Sequence, residues 1–254
     1  MKLDPNSIAN KVIAQIIVVI IIALFTAITQ IIAAINYNIP YNYLTILLSL
    51  TSLIFIIYFA WFNYKLKSIT GINQIDRSIG KGMDPSTALN SCKNNLRFLG
   101  IAANKLTMSP NFEETIKRCN RPMKSIKFLL SHPNNSILRF AAKRQNKDQE
   151  EYAKKVNNTL DNLWQLKSQK AYNIEIRLYK SNNEKGPPSF RLFFIDDESV
   201  LVSYYVFGEG DGLQMPQMQI VKSKKTRDTE NFYHAFDHYF NSLWESSEIY
   251  NGNT

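Results

Sequence analysis

FRLFFIDDESVLVSYYVF, residues 190–207, decides the fold of this chain. Two apolar runs, 190–195 and 200–207, flank the triplet Asp196-Asp197-Glu198. Short runs rich in Val, Ile, Phe and Tyr, bounded by turn residues, read as buried strands. Short polar residues of the Asp type make tight turns between strands. The segment is therefore a β-hairpin.

Working outward, NIEIRLY at 173–179 alternates apolar and polar residues and is a further strand. Gly208, Gly210 and Gly212 mark a loop, and 218–221 is a short strand. Residues 230–246 form a closing helix, with Phe232, Phe236, Tyr239 or Phe240, and Leu243 as its core stripe. Upstream, 96–102 is an apolar run with the look of a buried strand. NFEETIKRC at 111–119 is a short helix with acids early and bases late, as the helix dipole favours. Residues 125–130 are a strand, 131–135 a turn and 136–144 a helix. A longer helix at 147–170 carries Tyr152, Val156, Leu160, Leu163 and Leu166 at helical spacing. The order β-α-β-α-α-β-β-β-β-α implies an α/β fold: a mixed sheet with helices on its faces. This domain is expected over 86–247. A polar, partly helical neck at 65–85 precedes it, with a helix start at Asp84-Pro85, and a disordered tail at 248–254 follows.

The N-terminal part differs in kind. No charged side chain lies between Lys11 and Lys65. A bilayer core takes about 20 apolar residues per helical span. Residues 12–35 and 43–64 are each long enough, split by an outer loop at 36–42. Backbone groups cannot stay unpaired in lipid, so both runs are expected as transmembrane helices, making a hairpin. Tyr37, Tyr41 and Tyr43 near the loop, and Tyr58, Trp61 and Tyr64 at the far end, suit the membrane interfaces. The first run exceeds the apolar region of a cleaved signal, and a second span follows it directly. Lys2 and Lys11 before the hairpin and Lys65 and Lys67 after it put both termini on the cytoplasmic side of the membrane.

The chain holds 30 Lys and Arg against 21 Asp and Glu, a net charge of +9. Such a surplus suits anionic lipid, nucleotide or nucleic acid, and equally plain solubility beside an anionic leaflet. Basic residues gather at Lys117, Arg118, Arg121, Lys124 and Lys127, at Arg139, Lys143, Arg144 and Lys147, and at Lys222, Lys224, Lys225 and Arg227. Read alone each is a solvated face; read with Arg191 they line an anion or nucleic-acid groove. The only cysteines, Cys92 and Cys119, are not spaced as a metal pair and stay reduced in a cytoplasmic domain. No phosphate-binding glycine loop is found, and no metal or cofactor is expected.

The segment Ser189-Phe190-Arg191-Leu192-Phe193-Phe194-Ile195-Asp196 carries a resemblance. Phospholipase D-type enzymes have His-x-Lys-x4-Asp at the matching place, and this chain has Ser-x-Arg-x4-Asp. With YNIEIRLYK, MPQMQI, the aromatic last helix, and NNLRFLGIAANKL and MKSIKFLLSHPNN upstream, the chain resembles the phospholipase D-like domains of bacterial regulatory and defence proteins over residues 86–247. The resemblance implies a nucleophile position at 189, a phosphate-neutralising cation at 191 and a carboxylate supporting turn and site geometry at 196. Ser189 replaces the nucleophilic His, and the sequence identifies no base for it. Arg191 keeps the charge in a permanent, planar form suited to holding a phosphate. On the residues alone, Arg191 equally reads as an outward strand residue and Asp196-Asp197 as a simple turn.

His132 follows the second strand, where α/β sites often lie, yet Ser-His-Pro-Asn also reads as turn chemistry. His234 and His238 lie off the apolar stripe of the last helix and read as solvated. The expected function is a membrane-anchored, catalytically degenerate phospholipase D-like module. It would bind a phosphate-bearing ligand, a nucleic acid or a protein partner through Arg191, Ser189 and His132, in sensing or defence, with homo-oligomers allowed. The alternative is a membrane-bound phosphodiesterase or nuclease with an unorthodox nucleophile.

Overall fold

The computed structural model describes residues 27, 28, 31, 32, 35, 41–80, 82–122, 124, 126–144, 146–180, 188, 190–204, 215–223 and 231–252. The chain divides into two compact units, Met1–Lys65 and Leu66–Thr254.

In the first unit, Ala27, Ile28, Ile31, Ile32 and Ile35 are helical, and the rest of the expected first span and outer loop lies outside the described residues. Helix α1 runs Tyr41–Thr70, about 45 Å at 1.5 Å per residue. Within it, Ser49–Thr70 is the one stretch among the described residues long and apolar enough to cross a bilayer. Among the described residues there is thus one such helix, where the sequence leads to two over the whole segment. The helix ends at Gly71, whose backbone is left-handed at φ +74; a Cβ there would meet the Val221 carbonyl oxygen at 2.7 Å. Only glycine combines that turn with that approach.

The second unit is built on one eight-stranded sheet, in the order β1-β7-β6-β5-β2-β3-β4-β8. The strands are β1 (Ile72–Asp76), β2 (Leu96–Gly100), β3 (Ile126–Ser131), β4 (Ile174–Tyr179), β5 (Phe190–Ile195), β6 (Ser199–Tyr204), β7 (Gln217–Val221) and β8 (Glu248–Ile249). β2, β3 and β4 are parallel. The pairs on either side of that trio are antiparallel. The parallel neighbours need crossovers. The chain supplies α3 (Asn104–Thr107) and α4 (Phe112–Cys119) between β2 and β3, and α5 (Ile137–Arg144) and α6 (Gln149–Gln169) between β3 and β4. A short α2 (Pro85–Ser91) precedes β2, capped by the Asp84 carboxylate on the Thr87 N–H. The expected mixed α/β sheet is therefore observed.

Strand alternation splits the core in two. Phe98, Phe128, Ile176, Phe193 and Leu201 face the crossover helices, where Ile116, Val156, Leu160 and Leu163 cover them. Leu99, Leu129, Leu192, Phe194 and Val202 face the other way, under Tyr233, Phe240 and Trp244 of the last helix, α7 (Phe232–Glu245). Each such side chain contributes roughly 1.5–3 kcal/mol when fully buried.

Three expectations need correction. The neck supplies β1, paired with β7. Its residues INQID are mostly exposed, so an edge strand forms there with no apolar alternation to announce it. The expected tail supplies β8, paired with β4, and Tyr250 is buried edge-on against Trp164 at 5.8 Å. In the core stripe of α7, Tyr233 takes the place expected of Phe232, while Phe236, Tyr239, Phe240 and Leu243 pack on the core as expected. Asn231 caps the helix by accepting from the Tyr233 N–H at 3.0 Å, Tyr233 points inward, and Phe232 is 50% exposed.

One charge is set inside the second core. Arg97, on β2, is buried, with its guanidinium 4.2 Å from the Phe194 ring centroid and 5.4 Å from that of Phe240. It donates to Asp237 on α7 at 2.5 Å and to Asp197 in the β5–β6 turn at 2.9 Å. It also reaches the Tyr233 hydroxyl at 3.3 Å. Arg97→Met should lower unfolding free energy by about 2–4 kcal/mol, because both carboxylates lose their partner while remaining half out of water. Denaturant unfolding of the full chain in detergent measures this; a change under about 0.5 kcal/mol, the size of a neutral surface substitution, would show the network to be dispensable.

Candidate functional site

β5 and β6 form the hairpin expected from the sequence. Asp196 and Asp197 both take positive φ, at 55° and 54°. The Glu198 N–H donates to the Ile195 carbonyl at 3.0 Å. Two left-handed central residues are what a tight hairpin turn needs, and Asp tolerates that conformation. Counting back from the turn pairs Arg191 with Ser203, and β6–β7 pairing sets Ser203 beside Gln217. Arg191, Ser203 and Gln217 thus form one row across three adjacent strands, on the face that packs under the crossover helices.

That row lines a cavity of about 130 Å³. Its apolar wall includes Phe98, Phe193, Leu201 and Met215, and Lys155 of α6 and Lys105 of α3 reach it from the helical layer. Ser203 and Gln217 are 1% and 2% exposed, and neither the Ser203 Oγ nor the Gln217 Oε1 has a hydrogen-bond partner. Buried polar atoms are nearly always satisfied, so two orphans facing one cavity mark a place built for a polar guest. Partial burial lowers the Lys155 ammonium pKa from its ordinary value, and Lys147 lowers it further. Among the described residues no imidazole or carboxylate lines this cavity. It offers positive charge and hydrogen bonds.

Of the sequence-derived site residues, Arg191 is in this cavity and Ser189 lies outside the described residues. Asp196 sits at the far end of β5 from Arg191. Its carboxylate accepts from the backbone N–H groups of Lys93, Asn94 and Asn95 at 2.7–3.0 Å, pinning the loop that leads into β2. His132 follows β3 and does not line the cavity. Its Nδ1 accepts from the Asn134 N–H at 3.0 Å, so it closes the turn expected there. His234 is half-buried against Asn231 and Tyr233, and His238 is exposed. No cluster of metal-binding side chains is found among the described residues. Cys92 and Cys119 are both buried free thiols. Hydrogen bonding to Cys119 and then burial hold the Cys92 thiol well above its ordinary pKa.

The basic clusters are redistributed. Arg118 turns inward and donates to the carbonyls of Cys92 and Leu89 at 2.7 and 2.9 Å. Lys124, Lys127 and Lys222 line a different cavity from Arg191. Lys127 alternates with Phe128, and Arg191 with Leu192, so the two belong to opposite faces of the sheet. Among the described residues, Lys124, Lys127 and Lys222 therefore do not share a groove with Arg191.

Ser203, Gln217 and Lys155 are the residues that sequence reading missed. Ser203 was within reach, because hairpin pairing counted from the turn sets it opposite Arg191.

No protein-family model matches the sequence. No curated protein matches it either. Solved structures do match. The archaeal chromatin protein TrmBL2, described as showing a novel mode of DNA binding, is 15% identical with a TM-score of 0.40, over 70% of this chain and 54% of that one. Nuc of Salmonella typhimurium, a phospholipase D family member, is 11% identical with a TM-score of 0.38, over 66% of this chain and 89% of that one. Phosphatidylserine synthase of Haemophilus influenzae is 9% identical with a TM-score of 0.46, over 69% of this chain and 39% of that one. The chain therefore spans about half of the first and well under half of the third. None of the three reaches a TM-score of 0.5, and the fold stated above rests on strand order and register.

His132 makes a direct pH test. Burial, then the nearby Lys180 ammonium, holds its imidazole below the ordinary histidine range. A neutral ring is also what lets Nδ1 accept from Asn134. With the folded pKa below the unfolded one, this stabilisation is present above the unfolded value and fades as pH falls through the folded value. An NMR titration should place the His132 midpoint below about 6.5; a midpoint above that value would refute the neutral, turn-closing assignment.

Proposed function

We propose that the second unit is a catalytically degenerate phospholipase D-like domain that holds a phosphate-bearing anion in the Arg191 cavity without cleaving it. The row Arg191–Ser203–Gln217 carries this reading. It combines a permanent cation with the buried, unpartnered Ser203 hydroxyl, which can donate to a phosphate oxygen, while the unpartnered Gln217 Oε1 can accept from a hydroxyl of the same ligand. Lys155 and Lys105 add positive charge at the same opening. A guanidinium matches phosphate oxygens in geometry and never gives up its proton. Hydrolysis would need a nucleophile and a base beside the bound phosphorus, and the His of the phospholipase D pattern is replaced by Ser189. The module would then act by occupancy: ligand bound or not, as a sensor or interaction domain in signalling or defence.

Anchoring to a bacterial inner membrane by the two N-terminal apolar runs, with both termini cytoplasmic, belongs to the same proposal. The charge-free interval from Lys11 to Lys65 supports it. A reporter that works only outside the cytoplasm should be active when fused at Asn38 and silent when fused after Thr254. The reverse pattern would contradict the topology.

A charged hydrogen bond in a partly desolvated pocket is worth roughly 1.5–3 kcal/mol. Arg191→Ala should therefore weaken binding of inorganic phosphate or a nucleoside monophosphate by about one to two powers of ten. The thermal midpoint of the variant is measured alongside. The full chain in detergent should also show no turnover of a phosphodiester dye substrate. A destabilised variant with unchanged affinity would make Arg191 structural, and turnover lost with Ser189→Ala would make the protein an enzyme.

A further inference from the structure

The opposite face of the sheet has a cavity of its own, of about 400 Å³, lined by Asn95, Arg97, Lys124, Lys127, Asp197, Lys222, Tyr233, Asp237 and Asn241. Its floor is the buried Arg97 network. There each carboxylate oxygen already has a donor. Asp197 accepts from Arg97 at 2.9 Å and from the Asn95 amide at 2.6 Å. Asp237 accepts from Arg97 at 2.5 Å and from the Asn241 amide at 3.4 Å. Both acids line the cavity and stay partly exposed, and with Arg97 they leave the floor one charge negative, which the three lysines of the rim outweigh.

The rim is different. Lys124, Lys127 and Lys222 converge on the cavity from β3, from the segment before it and from the end of β7. No carboxylate among the described residues forms a salt bridge with any of the three. Two are held in place by rings: the Lys127 ammonium lies 5.1 Å from the Trp244 ring centroid and that of Lys222 lies 5.5 Å from the ring centroid of Tyr233. The buried Arg97 Nε–H in the lining has no acceptor. Three ammoniums without a salt-bridge partner among the described residues, two of them over aromatic faces, leave the opening net positive and suit a concentrated negative charge.

We propose that this cavity binds a multiply charged oligophosphate, a di- or triphosphate chain, with Lys124, Lys127 and Lys222 each taking phosphate oxygens. A single phosphate can satisfy only part of the rim, whereas a chain of two or three places charge opposite all of it. The site is independent of the Arg191 cavity, which lies on the other face.

The test is titration of the full chain in detergent with inorganic tripolyphosphate and, separately, inorganic phosphate, followed by calorimetry at two salt concentrations. Tripolyphosphate should bind at least tenfold more tightly than phosphate and weaken as salt rises. Each of Lys124→Gln, Lys127→Gln and Lys222→Gln should weaken it roughly fivefold, as partly exposed charge pairs do. The triple variant should all but abolish it. Arg191→Ala should leave tripolyphosphate affinity within about twofold, so a failure here is separable from a failure of the Arg191 reading. The single variants guard against a triple variant that folds poorly, with thermal midpoints as the check. Absence of binding, a lysine series that binds like the parent, or a loss produced by Arg191→Ala instead would each overturn the proposal.

Discussion

A guanidinium in the middle of an apolar layer is the constraint on which the second unit turns. Arg97 comes from β2, its acceptors come from the β5–β6 turn and from α7, and its faces are covered by Phe194 and Phe240. An ion there is tolerable only if its partners arrive together. That requirement ties the centre of the sheet to a hairpin about a hundred residues later and to the closing helix. Asp196, next to Asp197 in the same turn, fastens the loop before β2 through three backbone N–H groups. Two adjacent acids in left-handed conformation thus fix the start of one central strand from both sides.

The consequence for function is a division of labour between the two sheet faces. Strand alternation sends Arg191, Phe193 and Ile195 one way and Phe190, Leu192 and Phe194 the other. One face gains a small, mostly apolar cavity with a polar row at its base. The other gains a wider, basic opening above the Arg97 floor. Both kinds of site suit anions. As proposed, the first would select by the Arg191 guanidinium and the buried Ser203 hydroxyl, the second by charge density at three lysines.

Much of this architecture was legible in local pattern. The helices over α4, α5, α6 and α7 and strands β2 to β7 follow from runs and periodicities that each element carries within itself. The hairpin at 190–204 follows from its Asp-Asp turn, and with it the pairing of Arg191 with Ser203. β1 and β8 were not legible. Mostly exposed edge residues such as Asn73, Gln74 and Glu248 show no apolar alternation, and their strand state is imposed by the neighbours β7 and β4. In α7 only Phe232 departs from the stripe: beside the Asn231 cap it turns outward and Tyr233 turns in.

By itself the sequence determined the element types, the mixed α/β class, the charge-free apolar segment and the cation at 191, since all of these depend on neighbours along the chain. Only the tertiary structure decided which charges meet. It put Arg97 inside, sent Arg118 to cap carbonyls, and joined Lys124 and Lys127 to Lys222 from another basic stretch. It also separated all of them from Arg191. The physical reason is that the face a strand residue takes, and the partner it finds there, are set by sheet order and register. Those depend on burying apolar surface across the whole domain and leave no mark on any single segment.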